Sequence, residues 1–227
     1  MQGTLYIVST PIGNLSDISF RALEILEEVD LIAAEDSRIT KRLLNNYKIK
    51  NSFIAYNNYN ENKRYFDLIE KLKDGKNIAL VSDAGTPCIS DPGYKVVNTA
   101  KTLGINVVTI PGASSVIAAL SISGLPSDKF FFEGFLPKKK GRNKRFDFLA
   151  SLDCTIVIFE SPRRILKTLN DIFNNLGNRV IGLCKELTKL HENVKIGYVE
   201  NIISESLDSM KGEYIILVAN KKYKIDE

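Results

Sequence analysis

Short runs of apolar and β-branched residues alternate along the chain with segments whose apolar positions recur every three or four residues. Leu5-Tyr6-Ile7-Val8 reads as a buried strand, closed by Pro11 and Gly13. Ala22, Ile25, Leu26 and Val29 then fall on one face of a helix. Leu31 to Ala34 form the next strand, and a polar helix is expected over about 37–47. Tyr65, Leu68, Ile69 and Leu72 line a further helix, which Gly75 stops. Ile78 to Val81 and Val107 to Ile110 are two more strands, with a helix between them ending near Gly104. Strands alternating with helices predict a mostly parallel sheet covered on both faces.

Gly124-Leu125-Pro126-Ser127-Asp128 is a turn-rich break, so the chain is expected to divide into domains 1–124 and 125–227. Phe130 to Phe132 open a second set of elements, followed by a helix at about 142–151 and a strand from Thr155 to Phe159. Ile165, Leu169, Ile172, Phe173 and Leu176 line a helix face. Strands are expected near 179–184, 194–199 and 214–219. Long helices do not separate all of these last strands, which predicts a mixed sheet. The fold class is α/β, with a mostly parallel N-terminal sheet and a mixed C-terminal one.

Composition narrows the chemistry. The 227 residues are 44% hydrophobic and 26% charged, ordinary for a globular protein with a real core. No apolar run approaches the ~20 residues of a membrane helix, and Met1 to Ser9 do not read as a signal peptide. Three scattered cysteines, Cys88, Cys154 and Cys184, read as reduced thiols, so a cytoplasmic location is expected. A single histidine, His191, disfavours a Ser-His-Asp hydrolase or a multi-histidine metal site, and no metal is expected. Residues 1–125 balance 13 basic against 13 acidic side chains, whereas 126–227 carry 18 against 14. Six of those cations sit in one stretch, Lys138-Lys139-Lys140-Gly141-Arg142-Asn143-Lys144-Arg145. Such a block attracts polyanions, RNA or DNA first, or is simply a solvated loop.

Loops at the carboxyl ends of parallel strands are where α/β proteins bind ligands. Four here are rich in Gly, Pro, Ser and Asp: residues 9–15, 34–38, 82–93 and 111–115. The dinucleotide G-x-G-x-x-G, the phosphate-binding G-x-x-x-x-G-K-[ST] and a His-Cys-Cys zinc spacing do not occur.

Eight segments, in order, carry a resemblance: STPIGNLSDI at 9–18, AEDSR at 34–38, SDAGTPCISDPG at 82–93, PGASS at 111–115, FEGFLP at 132–137, FESPRR at 159–164, KELTKLHE at 185–192 and KGEY at 211–214. Together they resemble the small-subunit ribosomal RNA methyltransferase I family, of the tetrapyrrole (corrin/porphyrin) methylase fold class. The resemblance implies two α/β domains with an S-adenosylmethionine cleft between them, a homodimer, and 2′-O-methylation of a decoding-region cytidine in small-subunit (16S) rRNA. The partner is then that rRNA or the 30S subunit, with no membrane involved. The family often shows histidine where this chain has Asn58-Tyr59-Asn60-Glu61 and where it has Arg163, so the base is not placed at either position.

With that resemblance, Asp83 is expected to anchor the donor beside Ala84 and Gly85, with Pro11 and Ile12 shaping the wall and Ser114 and Ser115 adding contacts. Phe159 and Leu187 are expected on the adenine side, and Tyr214 and Ile215 through their backbone. Asp36 and Glu186 are the candidate bases and Lys185 a third catalytic candidate; Arg38 and Asp17 orient, and His191 is a further imidazole option. RNA is expected at Arg38, Lys138, Lys139, Lys140, Arg142, Lys144, Arg145, Arg163 and Arg164. Two rivals stand beside this reading. A tetrapyrrole-like small-molecule methyltransferase of the same fold has no need of the basic block, and a non-catalytic RNA-binding assembly protein would not bind the donor.

Overall fold

The computed structural model describes residues 1–205 and 211–225, arranged as two compact units, Met1–Ser114 and Ser115–Glu227. In the first unit the order is β1 (Thr4–Val8), α1 (Phe20–Glu28), β2 (Leu31–Ala34), α2 (Ser37–Asn46), β3 (Phe53–Ala55), α3 (Glu61–Lys73), β4 (Ile78–Val81), α4 (Tyr94–Thr102) and β5 (Asn106–Ile110). The five strands form one parallel sheet in the order β3-β2-β4-β1-β5. β4 lies inside it with all four residues buried, which is why Ile-Ala-Leu-Val reads as an unbroken apolar run.

The connections decide where a ligand can bind. From β1 the chain passes through α1 and α2 toward β3; from β4 it passes through α4 the other way to β5. Ala22 and Leu26 of α1 and Leu43 and Leu44 of α2 pack on one face, against Val8, Ile32, Ala34 and Val81. Leu68, Ile69 and Leu72 of α3 and Val96 and Ala100 of α4 pack on the other, against Leu5, Ala33 and Leu80. β1 and β4 are adjacent while their following loops part to opposite faces, so the crevice outside their carboxyl ends is a topological switch point. Strand β3 escapes the sequence pattern because three residues show no period.

The second unit contains α5 (Ser115–Ile122), β6 (Phe130–Phe135), α6 (Arg142–Ala150), β7 (Thr155–Glu160), α7 (Ile165–Leu176), β8 (Val180–Lys185), β9 (Asn193–Tyr198), α8 (Val199–Ser204) and β10 (Tyr214–Val218). Its sheet runs β6-β7-β10-β8-β9; β6 and β7 are parallel and the other pairs antiparallel, the mixed sheet expected. Phe146 and Leu149 of α6, Leu169 and Ile172 of α7 and Ile202 of α8 bury one face, against Ile156, Ile158 and Ile216. Helix α5 packs against β10, so the chain divides ten residues before the 124/125 break expected from the turn. Its sequence, SVIAALSI, has too few polar positions to show a helical period.

Candidate functional site

The four Gly- and Pro-rich loops lie side by side, following β2, β4, β1 and β5 in sheet order. Two of them are tied across the switch point. Thr10 N–H donates to the Gly85 carbonyl at 2.9 Å and Gly85 N–H returns to the Thr10 carbonyl at 3.0 Å. Thr10 Oγ1 donates to the Ser82 carbonyl at 3.2 Å, and the hydroxyls of Ser9 and Thr86 share a bond of 2.9 Å. Gly85 stands at φ +82°, and a Cβ there would lie 3.4 Å from Ile12 Cγ2 and 3.7 Å from the Ala113 carbonyl oxygen. Those distances are ordinary van der Waals contact, so it is the left-handed φ that favours glycine here. Pro11 and Ile12 are buried, whereas Ala84 is exposed at the loop's outer edge.

Carboxylates gather beside this knot. Asp83 Oδ1 accepts from Asp36 N–H at 2.9 Å, and Asp83 N–H donates to Glu35 Oε2 at 3.3 Å. Burial, with the nearby charges of Asp91, Asp83 and Asp36, pushes Glu35 up, and burial does the same to Asp83. Burial and the charge of Asp83 hold Asp91 at about 6. Asp36 goes the other way. It caps α2, accepts from Arg38 N–H at 2.8 Å, and meets Arg38 Nη2 at 2.6 Å; these bonds hold its carboxyl at about 2. Glu61 braces the same loop from α3, accepting from Gly93 N–H at 3.0 Å and from the buried Tyr56 hydroxyl at 3.2 Å. Ser114 and Ser115 follow the β5 loop, half-buried.

In the second unit a polar network sits under the basic block. Arg142 is 5% exposed. Its Nε donates to Asp171 at 2.7 Å, Nη1 to the Pro137 carbonyl at 3.0 Å, and Nη2 to Thr168 Oγ1 at 2.8 Å. Thr168 in turn donates to Glu160 Oε2 at 2.6 Å, and Glu160, 2% exposed, also pairs with Arg164 Nη2 at 3.1 Å. Arg145 donates to Glu133 at 2.7 Å and lies over the rings of Phe148 and Phe131. Lys138, Lys139, Lys140, Lys144 and Arg163 are exposed.

The sequence signature of the tetrapyrrole (corrin/porphyrin) methylases matches residues 4–203. A Haemophilus influenzae protein named ribosomal RNA small subunit methyltransferase I is 48% identical, over 97% of this chain and 80% of its own length. The protein of the same name from Thermotoga maritima is 46% identical, over 97% of this chain and all of its own. This chain belongs to the ribosomal RNA small subunit methyltransferase I family. Among solved structures, that of a diphthine synthase superposes with a TM-score of 0.76 at 17% identity, covering 96% of the methylase and 90% of its own chain. That likeness is one of fold.

The contacts of several expected site residues change their roles. Arg142 and Arg164 are not free phosphate ligands: their guanidinium groups are engaged by buried acceptors inside the methylase. Arg145 is held by Glu133, whereas Arg38 pairs with Asp36 only at the surface, its side chain 88% exposed, and stays open to a phosphate. Asp36, as a helix cap held near 2, is a weak base. Glu186 accepts from Glu213 N–H at 2.8 Å and from Lys189 at 3.2 Å, contacts that help keep its carboxyl low and fix the turn before β10. Lys185 lies over the Tyr214 ring, 5.8 Å from its centroid. Ile215 pairs with Phe159 on one side and Cys184 on the other, so its backbone serves the sheet ladder rather than a ligand. Leu187 is buried, and Phe159 half-buried between two other rings. Ser9, Thr10, Glu35, Thr86 and Asp91 joined the site without being singled out, although each lies inside or beside a quoted motif; what was missing from the sequence was which loops touch.

Proposed function

We propose that this protein is an S-adenosylmethionine-dependent methyltransferase acting on the ribose 2′-oxygen of a cytidine in the decoding region of small-subunit rRNA, in the cytoplasm and as a homodimer. The observation that carries the reading is identity of 46–48% with full-length relatives of one name. The switch-point crevice supports it. Glycine at position 85, with its backbone at φ +82°, puts no side chain between that backbone and a nucleoside, and Pro11 and Ile12 offer it an apolar wall. Glu35, Asp83 and Asp91 give the crevice the negative character that suits a sulfonium cation and ribose hydroxyls. When bound, the donor supplies a methyl carbon already activated by its own leaving group.

The chain's residues then have three tasks. Asp83 anchors polar groups of the donor, and the loop ties between Thr10, Gly85, Ser9 and Thr86 hold that anchor still. Positioning of this kind supplies much of the rate, because alignment removes an entropic barrier. The acceptor hydroxyl gives up one proton. A carboxylate of the Glu35, Asp83 and Asp91 cluster beside the loop tie is the candidate to take it, since burial raises all three above their ordinary values, and such a base contributes roughly 10²–10⁴-fold. Asp36 at about 2 lacks that basicity.

The test uses purified protein, 30S subunits and labelled S-adenosylmethionine, with ribose-methylation mapping of small-subunit rRNA from cells with and without the gene. One cytidine 2′-O-methyl that disappears with the gene is expected. An unchanged map, with no label transferred in vitro, overturns the assignment.

A further inference from the structure

Edge strand β6 interrupts its own alternation. Phe130 to Phe132 pair with Thr155 to Val157, Glu133 is skipped, and pairing resumes with Gly134 opposite Ile158 and Phe135 opposite Phe159. That bulge shifts the side-chain parity by one. Phe132 and Phe135 therefore share a face with Phe159, and their rings meet it edge-on at centroid distances of 5.0 and 5.6 Å. Phe132 and Phe159 are half-buried, but Phe135 is 58% exposed. A large ring that is oriented by a neighbour and still open to solvent is a ready stacking surface.

Cations emerge from the same strand end. The Leu136 carbonyl accepts from Arg164 Nη2 at 2.8 Å and the Pro137 carbonyl from Arg142 Nη1 at 3.0 Å, so the two residues between the ring and Lys138 are pinned to the buried network. Lys138, Lys139, Lys140 and Lys144 are exposed, with no ion-pair partner among the described residues. Arg163, also exposed, adjoins the Arg164 that holds Leu136. Of the two arginines of the block, Arg142 is a buried strut and Arg145 a partly exposed one paired with Glu133, and the lysines are its unpaired outward charge.

We propose that Phe135 is a stacking platform for an unpaired nucleobase of the RNA substrate, with Lys138, Lys139, Lys140 and Arg163 holding the flanking phosphates. The inference rests on the rRNA-methyltransferase reading and adds the form of RNA that is taken. Lysines alone accept any polyanion, duplex included, whereas a ring that must reach a base face selects a loop or splayed strand. A second copy of the chain is the poorer occupant, because a two-fold contact at this ring would bring two sets of unpaired lysines together.

The chain contains no tryptophan, so Phe135→Trp installs a single indole reporter. An oligocytidylate RNA of about 12 nucleotides should quench it, and a duplex RNA of equal length should not. Phe135→Ala and Phe135→Leu should raise Kd for that oligonucleotide and KM for 30S subunits roughly 5- to 100-fold. Donor affinity and the salt dependence of RNA binding should stay at wild-type values, and Phe135→Tyr should restore KM. An indole unquenched at saturating single-stranded RNA, or a wild-type KM in a folded Phe135→Ala protein, overturns the platform. A Phe135→Ala variant that loses self-association while keeping RNA affinity overturns it too, and assigns the ring to a protein contact. If the wild-type protein transfers no methyl to 30S subunits, the methyltransferase reading fails, and the oligonucleotide titration still decides the platform by itself.

Discussion

Arg142 separates a structural reading of the basic block from an electrostatic one. Replacing it with alanine removes three donors: one from Asp171 at 2.7 Å, one from the Pro137 carbonyl at 3.0 Å and one from Thr168 at 2.8 Å. Thr168 also donates to Glu160, so the loss reaches a carboxylate that is 2% exposed. Removing one partner of a buried ion pair costs about 3–5 kcal/mol. Asp171 is partly exposed and rehydrates, and Glu160 keeps Arg164 and the Ser161 N–H, so the cost is shifted below that range, to about 2–4 kcal/mol. Urea unfolding monitored on the second unit should show a midpoint lowered by about 1–2 M at a slope of about 2 kcal/mol/M. RNA affinity of the folded variant should keep its wild-type dependence on salt. Substituting Lys138, Lys139, Lys140 and Lys144 with Gln should do the reverse, leaving stability within about 0.5 kcal/mol and flattening the salt slope by about 0.7 per lost phosphate contact. An Arg142→Ala protein with an unmoved midpoint and a flattened salt slope would refute the buried-network account.

The remaining predictions concern the first unit and assembly. Asp83→Ala should weaken S-adenosylmethionine binding by at least ~1 kcal/mol by calorimetry; unchanged affinity in folded protein removes Asp83 from the site. Asp91, raised to about 6 by burial, holds its proton more tightly folded than unfolded, so its ionisation lowers stability as pH rises from about 4 through 6. Asp91→Asn should therefore stabilise the protein by roughly 1–3 kcal/mol above pH 6 and lose that advantage below about pH 4, while methyl transfer falls; a gain that grows toward acid pH contradicts the sign. Gly93 stands at φ +139°, and a Cβ there would lie 2.5 Å from Cys88 Sγ and 2.8 Å from Leu80 Cδ2, so Gly93→Ala should cost about 2–4 kcal/mol in chemical denaturation. Light scattering at micromolar concentration should give twice the chain mass, and a monomer with full activity counts against the homodimer.

What could be read from the sequence follows from which physical signals are local. Ala22, Ile25, Leu26 and Val29 announce α1 because burial on one face imposes a period, and Ile78 to Val81 announce β4 because burial on both faces removes it. The four ligand loops were visible for the same reason: tight turns at strand ends demand Gly, Pro and capping residues wherever they occur. Strand order is not local. Nothing in the spacing of residues 5–8 and 78–81 says that β1 and β4 are neighbours, and without that neighbourhood the Thr10–Gly85 tie and the meeting of Glu35 with Asp83 have no signal. The basic block shows the converse failure. Six cations in eight residues look alike on paper, yet two are tied to acceptors of the fold, Arg142 buried and Arg145 partly exposed, because a helix that begins at Arg142 turns that residue, Arg145 and Phe146 toward the sheet while Lys144 stays outside. Helical position, not charge, sorts struts from free cations. The Phe132-Phe135 pair repeats the lesson in a strand: their odd spacing of three would place them on opposite faces, and one skipped residue at Glu133 puts both on the same one. Functional surface in this protein is thus set by register, which sequence specifies only through the contacts that fix it.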